Sequence, residues 1–233
     1  MGRSLDPARQ LNGPAIYGIT DESALAGQAL FVRAEQALAG GVSILQYRNK
    51  RGLAGQRRRE AKVLAVLARC YGAVFVINDD VELAHSIGAG VHVGAEDTPV
   101  KTARARLGAE AVVGVSCYAS VEAAQSAQAA GASYVAFGNL YPSPTKAAPV
   151  VARGTLERAR RCLSLPICAI GGINETRIPE VRAAGADLIA VVSALFAPER
   201  DSFQAARRLV HALDTSPAPP PKSVPSHQRP LTP

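Results

Sequence analysis

The sequence predicts an α/β protein folded as a single (β/α)8 (TIM) barrel, and three observations lead there. Eight short apolar runs alternate with longer stretches whose apolar residues recur at helical spacing. Glycine recurs at five of the joints where a helical stretch gives way to the next run. Polar and charged residues collect at the C-terminal end of the runs, the end where such barrels keep their chemistry.

The runs occupy residues 15–20 (AIYGIT), 43–48 (SILQYR), 73–78 (AVFVIN), 90–94 (GVHVG), 111–116 (AVVGVS), 134–138 (YVAFG), 166–171 (PICAIG) and 188–193 (LIAVVS). Each is short, rich in Val, Ile and Ala, and followed by room for a helix. The joints Ala39-Gly40-Gly41, Ile87-Gly88-Ala89, Leu107-Gly108-Ala109, Ala130-Gly131-Ala132 and Ala184-Gly185-Ala186 supply a left-handed residue without a Cβ penalty. An open doubly wound sheet usually has fewer strands and leaves the eighth run unexplained.

Domain limits follow from composition. Residues 1–13 read as a flexible leader, 14–214 as the barrel, and 215–233 as a disordered tail rich in proline. At 233 residues and 48% hydrophobic, the chain has length for one large core.

The net charge of +7 invites a nucleic-acid reading. Its arginines, among them Arg57, Arg58, Arg59, Arg104, Arg106, Arg158, Arg160 and Arg161, fall on helical stretches with no interleaved aromatics. Solvated helix faces explain them better, and no nucleic-acid partner is expected. Cys70, Cys117, Cys162 and Cys168 lack metal-ligand spacing and read as reduced, small apolar residues. With no signal peptide and no apolar run long enough for a membrane span, a cytoplasmic protein without membrane partners is expected. Homo-oligomerisation stays open.

Strand alternation puts Gln46, Arg48 and Lys50 on one side of the second run, with Leu45 and Tyr47 on the other. At a barrel mouth the first three make an anion site; the bland alternative is a loop with spare charge. Asn78-Asp79-Asp80 and Glu96-Asp97 end adjacent runs. Mg²⁺ takes one or two carboxylates plus phosphate oxygens, so Asp79 and Asp97 could share it. Alternatively Asp79 or Asp80 caps the next helix, and both roles can coexist. Gly171-Gly172 and Ser193 follow the seventh and eighth runs, where such barrels commonly hold phosphate. His92 reads as a hydrogen-bonded interior histidine rather than a ligand.

Taken in order, these residues resemble the thiamine-phosphate synthase family over nearly all of residues 15–213. The resemblance is carried by Gln46-x-Arg48-x-Lys50, Ile77-Asn78-Asp79-Asp80, Gly90-Val91-His92-Val93-Gly94 with Glu96-Asp97, and Tyr141-Pro142-Ser143-x-Thr145-Lys146. Gly171-Gly172-Ile173 and Val192-Ser193-Ala194 follow in register. It implies that a pyrimidine pyrophosphate is held by Gln46, Tyr47, Arg48, Asn49, Lys50, Asn78, Ser116 and Lys146. It implies Mg²⁺ on Asp79 and Asp97. The second substrate, a thiazole phosphate, would meet Ser143, Pro144, Thr145, the backbone at Gly172, Val192 and Ser193. Arg48, Lys50, Ser116 and Lys146 would be catalytic: pyrophosphate leaves first, and the thiazole nitrogen captures the resulting pyrimidinylmethyl cation. This chain departs from the family with Asn139 where Pro usually follows Gly, Ser143 for Thr, and Ala95 where Gln often stands. Rival readings are a thiazole tautomerase of the same superfamily, a sugar-phosphate isomerase or aldolase using Lys146, and a non-catalytic phosphate-binding barrel.

Overall fold

The computed structural model describes residues 11, 13–142 and 149–222. Strands β1 (Ala15–Ile19), β2 (Ile44–Tyr47), β3 (Val74–Asn78), β4 (Gly90–Val93), β5 (Val113–Tyr118), β6 (Tyr134–Phe137), β7 (Ile167–Ile170) and β8 (Leu188–Val191) form one closed barrel. All neighbours pair in parallel, and β8 closes against β1 with Ala15 opposite Leu188. Helices α1 (Gln28–Ala39), α2 (Ala54–Cys70), α3 (Val81–Ile87), α4 (Val100–Leu107), α5 (Val121–Ala129), α6 (Gly154–Cys162) and α7 (Ile178–Ala183) each follow their strand. A short α8 (Ser193–Phe196) and then α9 (Ser202–Asp214) follow β8.

Local chemistry sets the element ends. Asp80 caps α3 by accepting from Leu83 N–H at 2.9 Å, Ser120 caps α5 through Ala123 N–H, and Asp201 caps α9 through Gln204 N–H. Gly88, at φ 67° and ψ 37°, ends α3 in the left-handed region that a side chain disfavours. β5 runs two residues beyond the expected Ser116, because its register against β6 slips between Ser116 and Tyr118.

Strand alternation divides the core in two. Outward residues such as Ile16, Leu45, Tyr47, Ile77 and Phe137 pack against the helices. Inward residues, including Tyr17, Ile44, Val76, Tyr134 and Leu188, fill the barrel. The Tyr134 ring lies over Gly114, where a Cβ would stand 2.0 Å from a ring carbon. Only glycine lets that ring cross the interior.

Several expectations are corrected. Leu11, assigned to a loose leader, is 2% exposed and belongs to the barrel-interior cluster. The tail expected to be disordered from 215 is docked through residue 222. Arg160 donates to Pro220 O at 2.6 Å, and Lys222 Nζ to Ser164 O and Leu165 O at 2.8 and 2.7 Å. Residues 1–10 and 223–233 lie outside the described residues. The arginines are not uniformly solvated. Arg160 is buried and bonds both oxygens of Asp187, while Arg104 gathers the carbonyls of Gly108, Ala109, Ala111 and Gly131. Cys117 and Cys168 are buried as expected, but Cys70 and Cys162 are exposed. Among the described residues no helix is long and apolar enough to cross a membrane.

Candidate active site

The C-terminal ends of the strands enclose a cavity of about 370 Å³, lined by Gln46, Arg48, Lys50, Asn78, Asp79, Asp97, Ser116, Gly171, Gly172, Val192 and Ser193 among others. This volume is of the size that takes a small-molecule ligand. Gln46, near the end of β2, and Arg48 and Lys50, just beyond it, line the cavity.

Tyr47 and Asn49 are not among the residues lining it, and their side chains are engaged elsewhere. The Tyr47 hydroxyl donates to Glu60 Oε2 at 2.5 Å on the helix side. The Asn49 side chain bonds Glu60 and accepts from the backbone N–H of Arg51 and Gly52, closing the turn before α2. Alternation in β2 turns Tyr47 away from Gln46, whereas Asn49, past the strand end, is held by its turn.

Each cation at the mouth has an acidic neighbour. Arg48 Nη1 lies 3.2 Å from Glu22 Oε2 and 3.8 Å from Asp21 Oδ1. Lys50 Nζ lies 3.1 Å from Asp79 Oδ2. Asp21 and Glu22 belong to the mouth as well, through these contacts. Their only signal was position, directly after the first run.

The two consecutive aspartates divide their work. Asp80 caps α3 and meets Arg57 at 3.2 Å, outside the cavity. Asp79 adopts φ 63° and turns into the cavity, its N–H donating to His92 O at 2.8 Å. Burial raises the Asp79 carboxyl above its usual value, contact with the Asp97 carboxyl adds to this, and Lys50 opposes it. Asp97 is oriented by Gly94 N–H, which donates to its Oδ2 at 2.8 Å. Two carboxylates facing each other in a half-enclosed site suit a hard cation between them. Among the described residues no group of three His, Cys, Asp or Glu could hold a metal. A cation here would complete its shell with water and substrate oxygens, the pattern typical of Mg²⁺.

Across the mouth, Gly171 and Gly172 adopt φ 105° and 61°. A Cβ on Gly171 would fall 1.8 Å from Asn139 Oδ1, so the buried Asn139 sits directly on this loop. Arg177, which the sequence reading passed over, donates to Gly172 O and stacks 4.4 Å over the Tyr141 ring. Tyr141 in turn donates to Glu180, which also pairs with Arg153. Ser143, Pro144, Thr145 and Lys146 lie outside the described residues.

The floor is polar and buried. Tyr17 and Tyr134, also unremarked in the sequence, exchange a hydrogen bond at 2.8 Å. His92 reaches Tyr134 through Nδ1 at 2.9 Å and Ser116 through Nε2 at 2.8 Å. It is the hydrogen-bonded interior histidine expected, and it also lines the cavity.

A closed parallel barrel whose strand ends gather two cations, two facing carboxylates and a paired-glycine loop defines a class: a (β/α)8 enzyme for anionic small molecules. The family model of thiamine monophosphate synthase matches residues 16–195. A thiamine-phosphate synthase of Thioalkalivibrio sulfidiphilus is 48% identical over 83% of this chain and 92% of its own. One from Acidithiobacillus ferrooxidans is 49% identical over 83% and 91%. The solved thiamine phosphate pyrophosphorylase of Pyrococcus furiosus superposes with a TM-score of 0.79 at 31% identity, covering 89% of this chain and 97% of that one. The chain belongs to the thiamine monophosphate synthase family, and it is a transferase.

Proposed function

We propose that this chain joins a pyrimidine pyrophosphate to a thiazole phosphate, giving thiamine phosphate and pyrophosphate, by Mg²⁺-assisted loss of pyrophosphate. The observation that carries the reading is the convergence of Arg48, Lys50, Asp79 and Asp97 on one cavity with Ser116 at its floor.

The bond between the pyrimidine methylene carbon and the pyrophosphate oxygen breaks first, and its electron pair leaves with pyrophosphate. Arg48 offers a planar fork and Lys50 a compact charge to the departing oxygens, stabilising charge where it develops. Asp79 and Asp97 would hold Mg²⁺, which supplies further positive charge to those same oxygens when bound. The thiazole nitrogen then gives its lone pair to the methylene carbon, forming the new C–N bond. No proton needs removal in that step, which agrees with a site built from cations and positioning groups rather than a nucleophile and base. Gly171, Gly172, Val192 and Ser193, after β7 and β8, line the same cavity and would hold the thiazole phosphate through backbone N–H groups, aligning the two substrates.

The test is a direct assay of the full chain with both substrates and Mg²⁺, following thiamine phosphate, with Asp79→Ala as control. Product that requires Mg²⁺ and falls sharply in the variant supports the reading. Folded protein that leaves both substrates intact overturns it and brings the thiazole tautomerase forward.

A further inference from the structure

Beneath the cavity, five side chains from five strands form one hydrogen-bonded chain. Gln46 Nε2 on β2 donates to Tyr17 OH on β1 at 2.5 Å. Tyr17 OH meets Tyr134 OH on β6 at 2.8 Å. Tyr134 OH meets His92 Nδ1 on β4 at 2.9 Å, and His92 Nε2 meets Ser116 Oγ on β5 at 2.8 Å. Gln46, Tyr17 and Tyr134 are 2%, 1% and 0% exposed, so water does not replace these bonds.

Each link between the two ends has one proton to give, and that sets a direction. Tyr17 accepts from Gln46, and in the arrangement where every hydroxyl spends its proton within the chain, Tyr17 donates to Tyr134. Tyr134 has then accepted and gives its proton to His92 Nδ1. A neutral imidazole that accepts at Nδ1 carries its hydrogen on Nε2 and donates it to Ser116 Oγ. Ser116 has thereby accepted from below, and its O–H is left for a group above, in the cavity it lines.

We infer that Gln46, Tyr17, Tyr134 and His92 are a positioning relay that holds His92 as the Nε2–H tautomer and makes Ser116 a hydrogen-bond donor to the bound pyrimidine pyrophosphate. The kinetic part of this inference rests on the proposed coupling reaction; the tautomer does not. Protonation states are consistent with the relay. The His92 ring is gripped at both nitrogens, by the Tyr134 hydroxyl at Nδ1 and by Ser116 Oγ at Nε2, the two contacts that the Nε2–H tautomer satisfies together. Burial raises both tyrosines well above their usual value, so both keep the proton they pass on. A donor already aimed costs no reorganisation when charge develops on the substrate.

The relay runs under the cavity floor: Gln46, Tyr17 and His92 reach its lining, while Tyr134, the link between Tyr17 and His92, lies wholly buried beneath it. Tyr134 is therefore a positioning residue, and its effect should pass entirely through Ser116. Nitrogen-15 histidine NMR of the full chain at neutral pH reads the tautomer directly. The expected wild-type signature is Nε2–H for His92, giving way to mixed tautomers in Tyr134→Phe. In the coupling assay, Tyr134→Phe should lower kcat/KM for the pyrimidine pyrophosphate about tenfold, the scale of one lost hydrogen bond to a charged or charging group. KM for the thiazole phosphate should stay within about twofold. Ser116→Thr should retain activity that Ser116→Ala loses, and the double variant with Tyr134→Phe should be no worse than Ser116→Ala alone. An Nδ1–H or imidazolium form in the wild type overturns the relay, whatever the assay gives. Additive losses in the double variant overturn the route through Ser116. A wild type without product but with the Nε2–H tautomer would sink the coupling reaction and leave the relay's direction standing.

Discussion

Lys50 Nζ and Asp79 Oδ2 stand 3.1 Å apart across the mouth of the barrel, joining β2 to β3 over the cavity. The pair keeps a cation and a carboxylate in place without committing either to the protein interior, since Lys50 remains more than half exposed. Replacing Lys50 with Ala should lower kcat by about 10²–10³-fold, the usual loss when one preorganised electrostatic donor is removed. Single-turnover measurement of pyrophosphate release checks this. A variant that releases pyrophosphate at the wild-type rate would remove Lys50 from the chemistry.

Arg177 ties Gly172 O to the Tyr141 ring and so links the loop after β7 to the segment after β6. Arg177→Ala should raise KM for the thiazole phosphate roughly tenfold, about 1.4 kcal/mol, and leave KM for the pyrimidine pyrophosphate unchanged. Arg177→Lys should not rescue it, because an ammonium cannot stack as a planar guanidinium does. Equal rises in both KM values would place Arg177 in general stability instead.

Gly114 is required by the ring above it. Gly114→Ala should cost at least about 1–3 kcal/mol through overpacking and lower Tm. Adding Tyr134→Phe should not relieve it, since the ring remains, whereas Tyr134→Leu should restore part. Denaturant melts of the three variants decide the matter.

The docked stretch 216–222 binds Arg160, Ser164 and Leu165 on the outside of the barrel, away from the cavity. Deleting residues 215–233 should reduce stability by about 1–2 kcal/mol, the scale of a few part-buried hydrogen bonds, without changing kcat. Arg160→Ala should cost more, about 3 kcal/mol; that is the low end for a broken buried pair, because Lys222 at 3.4 Å and the Ile167 N–H still partner Asp187. Thermal unfolding and the steady-state assay, run side by side, separate the two effects.

His92 gives a pH signature. Its imidazole is held at about 4 in the folded chain against an ordinary value of 6.5. Above pH 6.5 it is neutral in both states and contributes nothing to the pH dependence. As pH falls from 6.5 towards 4, the unfolded chain takes up a proton that the folded chain refuses, and stability is lost. The upper bound is about 3 kcal/mol. Urea melts at pH 7 and 4.5 should show a smaller drop for His92→Asn than for the wild type; equal drops would assign the loss to other groups.

The eight apolar runs were enough to count the strands, because a parallel barrel buries both faces of every strand and so writes continuous Val, Ile and Ala into each. Alternation also told which residues of Gln46-x-Arg48-x-Lys50 face the cavity. The same rule turns Tyr47 away from it, while Asn49, beyond the strand, is held by its own turn. The helix-cap and cavity roles of Asp80 and Asp79 were both legible, but not which aspartate took which. That depended on the left-handed turn at Asp79.

Local and periodic features can be read from the amino acids alone: strand number, glycine at most helix ends, and polar groups at one end of each run. The relay from Gln46 to Ser116 joins residues up to 117 positions apart in a single bond, and no periodicity predicts such a pairing. Arg177 over Tyr141 and the docking of Lys222 are of the same kind. Only closure of the barrel brings these groups within hydrogen-bond or stacking range. Once there, removal from water decides which of them must be paired and which are left to meet a substrate.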